Sequence, residues 1–221
     1  MQDLVIQEQF ELEVLDKFNS NKFLKKLIFG GGTMLRLCFG LNRFSVDLDF
    51  WMVKDADEKE LFSGINEYLG RFYTIRDATD KFHTLLFEIR PKDHPRSLKI
   101  EIRKKTRKVK TEQAIAYSPF ANTQVFLTVV SLPDMMRSKI EAFLKRKEIR
   151  DVFDMEFLIK KGVKLDAPVE SLKSVLKEMA AFTKQDYSVK LGSLLELDQR
   201  KYYLKENFKI LRSAIQEKLA V

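Results

Sequence analysis

The 221-residue chain holds one cysteine and two histidines. Cys38 has no partner for an internal disulfide, and with His83 and His94 it cannot supply a four-ligand zinc set. Zinc fingers and zinc hydrolases are thereby excluded. Eight glycines and five prolines are too few for a low-complexity chain. No apolar run approaches the ~18 residues of a spanning helix, so no membrane partner is expected. Residues 1–26 are acidic and helical in pattern, unlike a basic-then-apolar signal peptide, and a cytoplasmic location is expected. Charge of one sign is in modest excess: 40 Lys and Arg against 32 Asp and Glu give +8. That favours polyanionic partners without proving one. What is abundant is core material, 45% hydrophobic residues with 18 Phe beside 33% charged ones. Such a chain folds as one large domain or two small ones without staples.

Apolar residues recur at helical spacing from Leu4 to Phe18, an amphipathic helix among acids. Leu27 to Phe29 reads as a strand stopped by three glycines, and Thr33 to Phe39 as a helix. Val46 to Val53 alternates as a strand, and Asp57 to Phe72 repeats at three and four as a helix. Phe82 to Arg90 and Leu98 to Lys104 read as antiparallel strands about a turn-rich link, with a further strand over Gln124 to Val130. After residue 130 the pattern turns helical. Ser131, Pro133 and Asp134 open a long helix that Lys160, Lys161 and Gly162 close. Further helices fit Val169 to Phe182 and Gln199 to Leu219. The pattern fits an α/β or α+β part followed by a helical one, and the expected class is α+β, with a core over residues 1–125 and a mainly helical region over 126–221.

The informative stretch is FGGGTMLRLCFGLNRFSVDLDF, Phe29 to Phe50. Its glycines fit neither a Rossmann fingerprint nor a Walker loop. Between strand and helix they let the backbone approach a ligand, and the N–H groups that open the helix attract an anion. The alternative is a plain tight turn. Asp47 and Asp49 lie two apart among Val46, Leu48 and Phe50, so a strand projects both from one face. Two like charges side by side call for a cation, and hard oxygens without thiol or imidazole select Mg²⁺ or Mn²⁺. The bland account is an exposed edge strand with solvated acids. A third acid belongs on a neighbouring strand: Glu101, alone between isoleucines, is the candidate, with Glu88 its competitor.

These residues match a family pattern. GGT at 31–33, Arg36, RFS at 43–45 and DLDF at 47–50 closely resemble the first motif of the AbiEii/AbiGii toxin family of nucleotidyltransferases, in the polymerase-beta-like superfamily. Lys139, Ala142, Arg146, Arg150, Asp151 and Asp154 resemble its C-terminal K-x-x-A and R-D-x-x-D motif. The resemblance implies a polymerase-beta-like nucleotidyltransferase core, a mixed sheet flanked by helices, followed by a helical region that completes the active-site cleft. It also implies transfer of a nucleoside monophosphate from an NTP to an acceptor hydroxyl. The acceptor would be RNA, in some relatives the 3′ end of tRNA, with a protein or a small molecule as the alternatives, and the setting a toxin–antitoxin or abortive-infection system with a cognate antitoxin. Asp47, Asp49 and Glu101 would hold the metals. Gly31, Gly32 and Thr33 would grip the triphosphate, with Lys139, Arg146 and Arg150 balancing its charge.

On an unbroken helix Lys139, Arg146 and Arg150 fall within about 20 degrees of one line, with Asp154 about 60 degrees away and holding Arg150 at i+4. A break near Glu148 to Arg150 would bring Asp151 inward instead. Arg43 and Ser45 read as structural, Arg43 neutralising and bracing the aspartate strand. The basic run Arg103, Lys104, Lys105, Arg107, Lys108 and Lys110 reads as a solvated turn or an RNA-backbone contact. Tyr202 and Tyr203 read first as helix packing, and His83 as a packed strand residue. The second class of reading is a non-catalytic nucleotide- or RNA-binding regulator with the same fold.

Overall fold

The computed structural model describes residues 2–92, 96–105 and 108–220. His94 and Arg107 lie outside them. The chain divides into two units: one takes the chain up to Gly40 with Phe44–Val130, the other Leu41–Arg43 with the chain from Ser131 onward.

The first unit is built on a mixed seven-stranded sheet. Its strands are β1 (Leu27–Gly30), β2 (Asp47–Met52), β3 (Thr74–Asp80), β4 (Thr84–Arg90), β5 (Leu98–Arg103), β6 (Thr111–Ala116) and β7 (Val125–Val130). Their order is β3-β4-β5-β2-β1-β7-β6. β1 pairs antiparallel with β2 and parallel with β7, and β2 pairs parallel with β5. Period-two alternation gives this sheet one apolar face. Register stacks Phe29 beside Phe50 and Val129, and Leu48 beside Ile100, all of them buried. The helices α1 (Gln2–Ser20), α2 (Gly31–Phe39) and α3 (Glu58–Gly70) belong to the same unit. Phe18 of α1 lies 5.9 Å from the Phe50 ring, and Phe62 of α3 stacks at 5.2 Å on Phe87, so α1 and α3 cover the apolar face. Asp57 caps α3 by accepting the Glu60 N–H at 2.8 Å.

Several sequence expectations need correction. β3 and β6, the two sheet edges, escaped the sequence reading because edge strands carry polar residues on both faces. The helix read from Thr33 begins at Gly31, so glycine supplies its first turn. α1 keeps Asp3, Glu13 and Asp16 exposed, but Gln7, Glu8 and Glu11 are buried with its apolar residues. His83 is exposed in the turn between β3 and β4, where the chain reverses, and is not packed on a strand.

The second unit is helical. It holds α4 (Leu132–Arg146), α5 (Ile149–Lys160), α6 (Val169–Ala180), α7 (Leu197–Glu206) and α8 (Lys209–Ala220), with a π-helical turn over Asp186–Leu191. The long helix expected from Ser131 is broken: Lys147 takes a left-handed φ of 56° and ends α4, its N–H donating to the Phe143 carbonyl. The last helix is likewise two, divided at Asn207 and Phe208, both at positive φ. Asparagine tolerates that conformation, and Phe208 is fully buried, its ring 5.1 Å from Tyr203. Among the described residues no helix is long and apolar enough to cross a membrane.

Candidate active site

The apolar face of β2 takes Leu48 and Phe50, so Asp47 and Asp49 project from the opposite face, both half-buried. Gly30 of β1 stands beside Asp49, and Gly31 opens α2. Gly31 has φ +78°, and a Cβ there would lie 2.8 Å from the Asp49 Cβ and 2.9 Å from its Cγ. Only glycine fits both demands. The Asp49 carboxylate is thus packed against the first turn of α2, whose N-terminus has no side-chain cap. The N–H groups of a helix's first turn and the helix dipole make that end receptive to negative charge. Thr33 is fully buried, and its hydroxyl donates to the Asp47 carbonyl at 2.6 Å. Its side chain therefore ties α2 to β2, and Gly32 is buried beside it.

Parallel pairing sets Asp49 opposite Glu101 and Asp47 opposite Lys99. Antiparallel pairing of β4 and β5 sets Glu88 opposite Lys99. Residues opposite one another share a face, so Asp47, Asp49, Lys99, Glu101 and Glu88 form one charged array. Glu101 adjoins Asp49 directly, whereas Glu88 stands one strand further out. Glu101 Oε1 is 3.2 Å from Lys99 Nζ. That hydrogen bond, partly offset by burial and helped by the charges of Glu101, Asp47 and Glu88, raises the lysine above its ordinary pKa. Asp47 and Asp49, with hard oxygens on one face and Glu101 adjacent, have the chemistry a small divalent cation needs. Among the described residues no three acids, histidines or cysteines converge on one point.

Beneath Asp47 lies a buried set from α1. Arg36 ion-pairs with Glu8 and stacks its guanidinium 3.9 Å above the Phe44 ring. Glu8 also accepts from the Ser118 hydroxyl at 2.6 Å. Glu11 is fully buried, and neither carboxyl oxygen has a hydrogen-bond partner. Burial, then the Glu8 and Asp47 charges, push its pKa well up against the opposing pull of Arg36.

The second unit gathers its own charges. Arg43 clamps Asp154 through two hydrogen bonds of 2.7 Å, with side chains 2% and 0% exposed. Lys139 lies 2.6 Å from Asp154 and 3.5 Å from Asp151. Arg146 clamps Asp151 at 2.7 and 2.6 Å. Both aspartates are fully buried, because the break after α4 turns α5 back along Lys139. Burial is the largest influence on Asp154 and acts upward, but the charges and hydrogen bonds of Arg43 and Lys139 together outweigh it and hold its pKa low. Arg43 braces α5 through Asp154, a partner different from the aspartate strand expected for it. The i+4 pairing expected of Asp154 with Arg150 is replaced by these contacts, and the Arg150 Nε is buried without a hydrogen-bond partner.

The family model described as nucleotidyl transferase AbiEii toxin, type IV toxin–antitoxin system, matches residues 13–217. The chain belongs to the AbiEii family. Its nucleotidyltransferase toxin role and the antitoxin partner of such systems follow at that level. Solved structures share the fold, two of them from Helicobacter pylori. The crystal structure of JHP933 from Helicobacter pylori is 20% identical, with 92% of this chain and 94% of that one covered at a TM-score of 0.54. A putative nucleotidyltransferase from H. pylori is 18% identical, with 95% and 96% covered at 0.56. No curated protein sequence matches the chain.

Three residues of this AbiEii chain escaped the sequence reading. Lys99 was detectable as the i−2 neighbour of Glu101 on the same strand face. Glu8 and Glu11 carried no such signal, since acids within an amphipathic pattern read as a solvent face.

Of the basic run, Lys104 pairs with Glu58 at 3.0 Å and with Asp80, so its charge is met within the fold. Arg103, Lys105, Lys108 and Lys110 are exposed or partly so. Tyr203 is buried and hydrogen-bonds Lys160 at 3.0 Å, while Tyr202 stays partly exposed.

Proposed function

We propose that this protein transfers a nucleoside monophosphate from an NTP to the 3′ hydroxyl of an RNA, with tRNA the leading acceptor, and that Mg²⁺ or Mn²⁺ held by Asp47, Asp49 and Glu101 is required. The observation that carries this reading is the packing of the Asp49 carboxylate against Gly31 at the uncapped start of α2, with Asp47 beside it on the same face. That places carboxylate oxygens for a cation next to backbone donors for a phosphate. When bound, the divalent ions neutralise phosphate charge and lower the pKa of the acceptor hydroxyl. The chain's part is to position. The N–H groups of Gly31 and Gly32 receive triphosphate oxygens, and Thr33 holds Asp47 in place. The acceptor oxygen bonds to the α-phosphorus, the bond to the β-phosphate oxygen breaks, pyrophosphate leaves, and the hydroxyl proton passes to solvent.

Lys139, Arg146 and Arg150 of the helical unit differ in how free they are to take a phosphate. Lys139 is buried between two aspartates and acts mainly by holding the cluster together. Arg146 is 43% exposed, and the Arg150 Nε has hydrogen-bonding capacity to spare. Asp151 and Asp154 fix Lys139 in place, and Asp151 also holds Arg146.

Incubation with α-labelled NTPs, Mg²⁺ and total tRNA tests the proposal. Label should enter RNA, should fail to enter in EDTA, and should vanish in the Asp47→Ala, Asp49→Ala variant while the thermal transition persists. Labelling by that variant would contradict the assignment. The pairing of Glu101 with Lys99 favours a second reading, a nucleotide- or RNA-binding regulator, which would retain NTP or RNA and label no polymer.

A further inference from the structure

Lys99 occupies an unusual position on the acid face. It faces Asp47 across one strand boundary and Glu88 across the other, and Glu101 follows two residues along the same strand. Neighbouring strands are about 4.8 Å apart, so this ammonium lies among carboxylates that a divalent cation would also need. Its closest partner is the proposed third ligand, Glu101, at 3.2 Å.

The pair is also exposed, with Lys99 44% and Glu101 35% accessible. An ion pair in that setting is weak and readily exchanged. The buried Arg43–Asp154 clamp is the opposite case and is fixed. A lysine on a flexible four-carbon stem can swing from an exposed partner without unfolding anything.

We propose that Lys99 is a built-in counter-cation that competes with the divalent metal for Glu101 and the adjoining carboxylates. Its positive charge sets how tightly the metal binds: Glu101 becomes a ligand only as Lys99 withdraws. The inference rests on the metal-dependent reading above and adds a determinant of metal affinity, with Lys99 as a positioning residue. In the structure Glu101, the proposed third ligand, is held on the lysine.

Mn²⁺ titration of the purified full chain, followed by the electron paramagnetic resonance of the free ion, tests it without reference to activity. Wild type, Lys99→Met, Lys99→Arg, Lys99→Met with Glu101→Gln, and Asp47→Asn with Asp49→Asn are compared. Lys99→Met should bind about tenfold more tightly than wild type, the direction and scale of removing one nearby cation. Lys99→Arg should bind like wild type, because the charge remains. Adding Glu101→Gln should cancel the gain. If Lys99→Met and wild type bind alike while the aspartate variant loses binding, the role of Lys99 is overturned and the metal site stands. If Lys99→Arg tightens binding as much as Lys99→Met, charge is not the cause and the proposal falls. If wild type shows no binding that the aspartate variant removes, the metal reading and this inference fall together.

Discussion

Gly31→Ala separates backbone strain from displacement of a catalytic group. Alanine at φ +78° costs about 1–2 kcal/mol on conformational grounds. The new Cβ would also lie 2.8 and 2.9 Å from the Cβ and Cγ of Asp49. Carbon atoms settle about 3.5–4.0 Å apart, so the carboxylate has to move by about 1 Å. A misplacement of that size costs on the order of 100-fold in rate. A chain of this length loses about 2–4 °C in Tm per kcal/mol, so unfolding should shift down by about 4–8 °C for a loss near 2 kcal/mol, leaving the variant folded at 25 °C. Gly40→Ala is the matched control, with φ +77° and no heavy atom within 4 Å of the added Cβ. It should show a comparable fall in Tm with nucleotide transfer nearly unchanged. The assay is incorporation of α-labelled NTP into tRNA at 25 °C beside thermal melting of each variant. Transfer by Gly31→Ala within twofold of wild type would refute the reasoning, because Asp49 would then not need its place.

Asp154→Asn should cost about 3–5 kcal/mol in urea unfolding at pH 7, since it strips a buried carboxylate from Arg43 and Lys139. The Asp154 pKa is lowered in the folded state, so its contribution is present above the unfolded value near 3.9 and is lost as pH falls through the folded one. The gap between wild type and variant should therefore close below about pH 4. Persistence of the full gap at pH 2.5 would contradict this. Glu11→Gln should stabilise the metal-free protein by about 1–3 kcal/mol at pH 8, because the folded-state pKa of Glu11 is raised and wild-type stability falls as pH rises above its unfolded value. Melting curves at pH 4.5 and pH 8 check it, and an equal effect at both would be the wrong outcome. Lys105→Ala with Lys108→Ala should lower the salt slope of tRNA binding by about 0.7 per lost phosphate contact, while Lys104→Ala leaves the slope unchanged because Lys104 already pairs with Glu58 and Asp80. A fluorescence titration at several salt concentrations measures both, and equal slopes for all three proteins would remove this run from the RNA surface.

Local periodicity made much of the fold legible. β2 was readable because Leu48 and Phe50 alternate with Asp47 and Asp49, and that alternation also revealed the acid pair. β3 and β6 were not, since TIRDATD and TEQAIA lack an apolar face and gain their strand form from a neighbour. The breaks after Arg146 and Glu206 carry no glycine or proline; Lys147 and Asn207 adopt left-handed backbone where helices must turn. The charged cluster was legible as residues but not as contacts. Arg43 and Asp154 lie 111 positions apart, and no spacing rule links them. Lys99 was passed over because a lysine next to an acid on a strand ordinarily reads as a solvated pair.

A crystal of the protein soaked in Mn²⁺ with a non-hydrolysable NTP, recorded at the manganese absorption edge, tests the central claim most directly. The account requires an anomalous peak within about 2.0–2.3 Å of oxygens from both Asp47 and Asp49, with phosphate density against the N–H groups of Gly31 and Gly32. Nucleotide bound elsewhere, or bound there with no peak at the two aspartates, would contradict it.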